Sequence, residues 1–295
     1  MKNILTTRTG SFPIGFRRGG GWQSDLPALL KWATEHRLGV IDLGADADTC
    51  GAAVRDAGLQ VGSADLGGGV DWQQLLSPDK AKRKAAVEKS SAYIAACSQF
   101  GIKNFFFIAL PEDPGLERKQ NLSFAVESLS ALEPVLKNSG ARIVIEGWPG
   151  PGALCCTPET YRAFFAGCPL DVFGINYDPS HLIRMGIDPV RFLTEFHQRI
   201  YHLHGKDTLI DAEAVYQLGT EQPATLAEYV PFGGTFWRYT IPGHGQAPWP
   251  QIFTKLKEYK YKGAVSIELE DCNFNGTAEG EQQGYLASAA YLASV

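Results

Sequence analysis

A chain of 295 residues, 44% of them hydrophobic and 11% aromatic, has the length and apolar content for one large barrel-type domain or two smaller ones. Its 27 Lys and Arg against 32 Asp and Glu give a formal net charge of -5, which repels phosphate polyanions and argues against a nucleic-acid partner. No segment reaches the roughly 18 uninterrupted apolar residues of a membrane span, no apolar run of signal-peptide length precedes Gly10, and the six cysteines include no Cys-x-x-Cys pair; the reading is a cytoplasmic protein with reduced thiols and no membrane contact, disulfide scaffold or structural zinc.

Apolar runs of strand length alternate with amphipathic helical stretches along the whole chain. The first unit reads as a strand over 4–7 and a helix over 26–36, the second as 40–43 and 48–57, the third as 60–66 and a long helix over 78–100. The fourth pairs a very apolar strand over 104–110 with a helix over 116–138 closed by Ser139-Gly140. The fifth has a strand over 142–146 and a helix opened by Thr157-Pro158-Glu159, Thr as N-cap and Pro in the first turn. The sixth strand, 171–177, leads to a helix from Asp188-Pro189 to near Phe196. The seventh strand, 199–204, is separated from its helix over 249–260 by an irregular segment, 208–247, and the eighth, 264–269, precedes a closing helix over 279–293. Eight such units, with no repeat or linker between them, predict one α/β domain over 1–295: a single (β/α)8 TIM barrel, preferred to a doubly wound open sheet.

Functional groups of such a barrel sit at the carboxyl ends of its strands. Strand five ends in Glu146, strand six at Asp178, strand seven in His204 and strand eight at Glu268, whereas strands three and four end in Leu66 and Leu110 with no ligand type in reach. Alternation puts His202, His204 and Lys206 on one face, and Ser266, Glu268 and Glu270 on another, which are read as lumen faces. Any one of these has a plain structural reading, as a loop cap, a salt-bridge partner or a hydrogen-bonded core histidine. Together, three carboxylates crowded at one rim would repel one another, so the set fits one divalent metal ion. Oxygen-rich ligation with one nitrogen favours Mn2+, with Mg2+ and Co2+ next and Zn2+ ranked below.

At these residues the chain resembles the xylose-isomerase-like barrel superfamily, in particular the sugar phosphate isomerase/epimerase branch that includes the ketose 3-epimerases. The resemblance covers most of the chain. It rests on Ile145-Glu146, Tyr177-Asp178-Pro179-Ser180-His181, His202 to Asp207, Arg238 before Pro242-Gly243-His244-Gly245, Trp249-Pro250, and Ser266 to Glu270. It implies metal ligation by Glu146, Asp178, His204 and Glu268, substrate contacts from His181 and Arg238, and Glu146 and Glu268 as an acid/base pair. The segment between Lys206 and Arg238 is longer than in the simplest epimerases of that pattern.

The chemistry expected is proton abstraction next to a carbonyl through a metal-stabilised enediolate: epimerisation if the proton returns to the opposite face, isomerisation if it returns to the neighbouring carbon. Lys206 is a candidate for holding a distal hydroxyl, carboxylate or phosphate, and Trp148, with Trp237, Trp249 and Phe12, for packing on a sugar ring, ordinary core being the plainer alternative for each aromatic. The partner expected is a small carbohydrate; homo-oligomerisation is left open. The first rival is a lyase or eliminase acting on a 3-keto glycoside with the same residues. The second is an apurinic-site endonuclease-like hydrolase, ranked low because strands two to four offer no further ligands.

Overall fold

The computed structural model describes residues 12–295; the strand expected over 4–7 lies outside the described residues. The first strand within them is β1 (Ile14–Arg17), followed by β2 (Val40–Leu43), β3 (Gln60–Asp65), β4 (Asn104–Ile108), β5 (Arg142–Glu146), β6 (Phe173–Tyr177) and β7 (Ile200–Gly205), then by β8 (Asp207–Ile210), β9 (Trp237–Thr240) and β10 (Val265–Ile267). Eight of them close into a parallel barrel in the ring order β1, β2, β3, β4, β5, β6, β7, β10, so the expected TIM-barrel class holds. Closure is made by β1 against β10, with Gly15 opposite Ser266 and Phe16 opposite Ile267.

The strands are short and buried on both faces, as parallel strands covered by helices must be. Phe105, Phe106 and Phe107 of β4 and Ile143, Val144 and Ile145 of β5 are all buried. The surrounding helices present apolar stripes to this layer, for example Leu29, Leu30, Trp32 and Ala33 of helix Leu26–Glu35. Thr157 and Thr160 make a reciprocal cap at the start of helix Pro158–Gly167, and Gly140 takes the left-handed conformation after helix Glu133–Ser139, both as the sequence predicts.

Three expectations are corrected. The helix expected over 116–138 is two helices, Arg118–Ala131 and Glu133–Ser139, because Pro134 has no N–H to continue the ladder and favours a first turn. The segment over 208–247 is not irregular: β8 and β9 form an antiparallel hairpin that also encloses helix Ala212–Leu218. A short helix, Pro179–Arg184, follows β6 directly. Asp207 anchors the hairpin, since its buried carboxylate accepts the N–H groups of Thr208, Ala247 and Gly243 at 2.8, 2.7 and 3.1 Å. Among the described residues no helix is long and apolar enough to cross a membrane.

Inside the barrel, glycine at position 62 is a packing requirement. A Cβ there would lie 2.4 Å from Asp42 Oδ1 and 2.8 Å from His202 Cε1. Gly62→Ala should therefore lower stability by about 1–3 kcal/mol, the cost of overpacking a filled interior; an unchanged urea midpoint would show that Asp42 and His202 can give way.

Candidate active site

The carboxyl end of the barrel collects Glu146 from the last position of β5, Asp178 immediately after β6, His204 from β7 and Glu268 just beyond β10. One ligand-type atom from each lies within 4.8 Å of the others. Each side chain is held by its own surroundings. Asn176 Nδ2 donates to Glu146 Oε1 at 2.7 Å. Asp178 caps helix Pro179–Arg184 through Oδ1, which accepts the Ser180 N–H at 2.8 Å, while its Oδ2 is buried without a hydrogen bond. His204 Nδ1 stands 2.7 Å from Glu146 Oε1 and 3.3 Å from Glu268 Oε2, yet makes no hydrogen bond of acceptable geometry. A buried carboxylate oxygen without a hydrogen bond, Asp178 Oδ2, beside an imidazole nitrogen likewise without one, fits the donor set of a divalent-cation site.

Two fixed cations reach this cluster. Lys206 Nζ, fully buried, lies 2.5 Å from Glu268, 2.9 Å from Glu270 and 3.3 Å from Asp178, above the Tyr239 ring. Arg17, at the end of β1, pairs with Asp65 at 2.8 Å and Glu268 at 3.3 Å, and its guanidinium covers Phe106, which stacks on His204. Burial alone would raise the Glu268 carboxyl and lower the Lys206 ammonium. Lys206, His204 and Arg17 outweigh it for Glu268, which is held well below the usual carboxylate range; Glu268, Glu270 and Asp178 outweigh it for Lys206, which stays protonated. Burial and Glu268 both push Glu146 up, but His204 and His181 more than cancel them and keep it ionised. Burial would lower His204, and Glu268 with Glu146 lift it well above its ordinary value.

Below this cluster the lumen holds a second set that the strand-end survey missed. Asp42, in the middle of β2, is completely buried. It accepts the Ser63 N–H at 2.9 Å and the Ser266 hydroxyl at 3.0 Å, meets His202 Nε2 at 2.7 Å and comes within 3.5 Å of His204 Nε2. A carboxylate on the rear nitrogen of a histidine fixes its ring so that the other nitrogen faces the ligand position. The expectation that strands two to four offer no further ligand-type residue is thus corrected, by Asp42 on β2, which groups with His202 and His204, and by Asp65 on β3. The only sequence signal was a lone Asp inside an apolar strand, Val-Ile-Asp-Leu.

The expected substrate contacts separate into two groups. His181 sits beside the cluster, its Nε2 3.3 Å from Glu146 and 3.4 Å from Asp178 and its Nδ1 2.7 Å from the Tyr239 hydroxyl. Lys206, expected to face a distal substrate group, is placed among the carboxylates instead. Arg238 lies on β9, 3.0 Å from the buried Asp271. Trp148 is half-buried in the loop after β5 and folds over Gly150. Trp249 is fully buried against Phe253, and Phe12 is core at the opposite end of the barrel, against Phe253 and Tyr261; neither lines the rim. Arg184 was missed: its guanidinium stacks over Trp237 at 4.1 Å and donates to the Tyr239 hydroxyl at 2.5 Å, tying the hairpin to His181.

Comparison with known proteins places this arrangement. A family model described as xylose isomerase-like TIM barrel matches residues 30–295. An inosose dehydratase of Clostridium botulinum is 35% identical over 152 residues, covering 52% of this chain and 48% of that protein. The chain spans about half the length, or less, of the curated relatives it matches. Among solved structures, the 3-keto-D-glucoside 4-epimerase YcjR from E. coli superposes with a TM-score of 0.67 at 17% identity, covering 95% of this chain and 98% of that one. The IOLI protein with a binding zinc atom gives 0.67 at 16% identity over 95% and 97%. At those identities the structural likeness speaks for the fold.

Asp42 offers a direct test of the lower set. Burial would raise its carboxyl, but His202 and His204 hold it well below the usual range. Its contribution to stability is therefore present above about pH 4, where an unfolded Asp is ionised, and is lost as pH falls toward the native value. Asp42→Asn should cost roughly 3–5 kcal/mol at pH 7, as for a broken buried pair, with a difference that narrows in acid. A loss under about 1 kcal/mol, the range of an exposed pair, would mean that Asp42 does not organise the two histidines.

Proposed function

The chain belongs to the xylose isomerase-like TIM barrel family, and from that premise we propose that it is a divalent-metal-dependent isomerase or epimerase of a small sugar, sugar phosphate or keto-sugar, acting by proton abstraction next to a carbonyl. The observation that carries this reading is the meeting of Glu146, from β5, and Glu268, from beyond β10, at the same nitrogen of His204, at 2.7 and 3.3 Å. The YcjR likeness supports the same chemistry by analogy of fold. We assign the whole of residues 1–295 to one domain and place it in the cytoplasm, with no nucleic-acid or membrane partner.

In this reading Glu146, Asp178, His204 and Glu268 hold the cation, with Mn2+ proposed on their oxygen-rich chemistry. When bound, the ion would polarise a substrate carbonyl and offset negative charge developing on its oxygen. Glu268, kept ionised by Lys206 and Arg17, takes the α-proton. Glu146 returns a proton on the other side, and His181, 3.3 Å from it, is placed to supply that proton and to hold a substrate hydroxyl. Tyr239 and Arg184 fix the His181 ring and so exclude water from that wall. Arg238 and Trp148 are proposed to border the outer part of the substrate.

A second reading is a dehydratase or eliminase. It is favoured by the inosose dehydratase relatives and by the Lys206 ammonium beside Glu268, positioned to hydrogen-bond a departing hydroxyl after the same α-proton has been removed.

Reconstitution should yield about one divalent ion per chain, by the ligand count above, measured by metal analysis after Mn2+ loading; no retained ion would end the metal-dependent reading. A panel of free, phosphorylated and 3-keto sugars and an inosose, followed by NMR in D2O with Mn2+, should show solvent deuterium entering one α-position. Epimerised or isomerised product supports the first reading and an α,β-unsaturated ketone the second, whereas no exchange with any member removes both. Glu268→Gln should slow the exchange by about 10²–10⁴-fold; exchange at the wild-type rate would take Glu268 out of the base role.

A further inference from the structure

The end of the barrel opposite the active site has a charge pattern of its own. Two adjoining cavities of about 520 and 730 Å³ open there, at the amino-terminal ends of the strands, and share a wall made partly by Lys103 and Lys262. Arg55 lines the first, Arg142 and Lys260 the second, and among the described residues no Asp or Glu lines either. This concentration of cations stands out in a chain whose formal net charge is -5.

The lysines are also free of counter-ions. Among the described residues, no carboxylate lies within 4 Å of the Lys103, Lys260 or Lys262 ammonium, whereas other surface lysines, such as Lys82 and Lys255, have one at 2.7 and 2.8 Å. Arg142 is stacked over the Tyr201 ring at 4.2 Å, which leaves its guanidinium edge available. Asn104, in the shared wall, donates from its side chain to Gly62 O at 2.8 Å and ties the start of β4, next to Lys103, to β3. Unpaired ammonium groups facing a common recess repel one another, and an anion seated between them removes that repulsion.

We propose that the amino-terminal end of the barrel binds a small phosphorylated molecule, with its phosphate at the wall shared by Lys103 and Lys262 and flanked by Arg55 on one side and Arg142 and Lys260 on the other. A multiply charged phosphate matches several converging cations better than a single carboxylate does. The recesses have small-molecule volumes, and the acidic remainder of the surface repels an extended polyanion such as nucleic acid. The site is separate from the carboxyl-end cluster and does not depend on the function proposed for it.

Isothermal titration of the whole protein with inorganic pyrophosphate tests this. Saturable binding is expected that weakens as salt is raised and falls at least tenfold in Lys103→Glu/Lys262→Glu. Both lysines are exposed, so the fold should survive their reversal; a melting curve reports this, and Lys103→Gln/Lys262→Gln replaces the pair if melting falls. The proposal is overturned if pyrophosphate does not saturate, or if affinity survives the lysine substitutions, which would place the anion elsewhere on the protein.

Discussion

One buried carboxylate sets the geometry on which the site depends. Asp42 has no solvent and meets four groups from three other strands: the Ser63 N–H, the Ser266 hydroxyl, His202 and His204. A charge so deep is tolerable only when every lone pair is used. Its consequence is directional: with Nε2 turned toward Asp42, the His204 ring has one way left to point, and its Nδ1 faces Glu146 and Glu268. The Phe106 ring stacked on His204, itself covered by Arg17, closes the remaining freedom. A polar column inside an aromatic-lined barrel thus orients a catalytic-type imidazole without a loop being involved.

At the mouth the arrangement is one of charge imbalance. Among the described residues, Glu146, Asp178, Glu268 and Glu270 face only Lys206 and Arg17 as permanent cations, and both cations lean on Glu268. The two carboxylates proposed as the acid/base pair, Glu146 and Glu268, are therefore unlike each other. Glu268 is held by Lys206, His204 and Arg17, whereas Glu146 lies between His204 and His181. In the proposed function, isomerase and dehydratase chemistry share the first half-reaction, and the group that the second carboxylate, or Lys206, then meets decides the outcome.

Much of this was legible in the sequence. The barrel followed from alternating apolar runs, and the ends of strands five to eight named the carboxylates and imidazole that the fold brings together, because strand direction alone carries such residues to one rim. The features that escaped did so for physical reasons. The strand Ile14–Arg17 is four residues flanked by turn formers, and the more apolar stretch before it drew the assignment away; Arg17 went with it. Asp42 sits mid-strand, where a survey of strand ends does not look, and its role is fixed by Ser266, far away in the chain. The β8–β9 hairpin consists of two four-residue strands whose pairing depends on the Asp207 anchor rather than on their own alternation, and a tertiary anchor leaves no local pattern.

The bond between Asp42 and Ser266 spans 224 residues. On a ribosome adding about 5–20 residues per second, that interval corresponds to roughly 10–45 s between the emergence of the carboxylate and that of the hydroxyl that completes its shell. Throughout it β1 is an edge strand with no β10 to close on, and the lumen that will bury Asp42 is open to water. The polar column is thus a late product of synthesis: a chain halted before β10 retains a hydrated Asp42, a ring that cannot shut and exposed strand edges open to pairing with another chain.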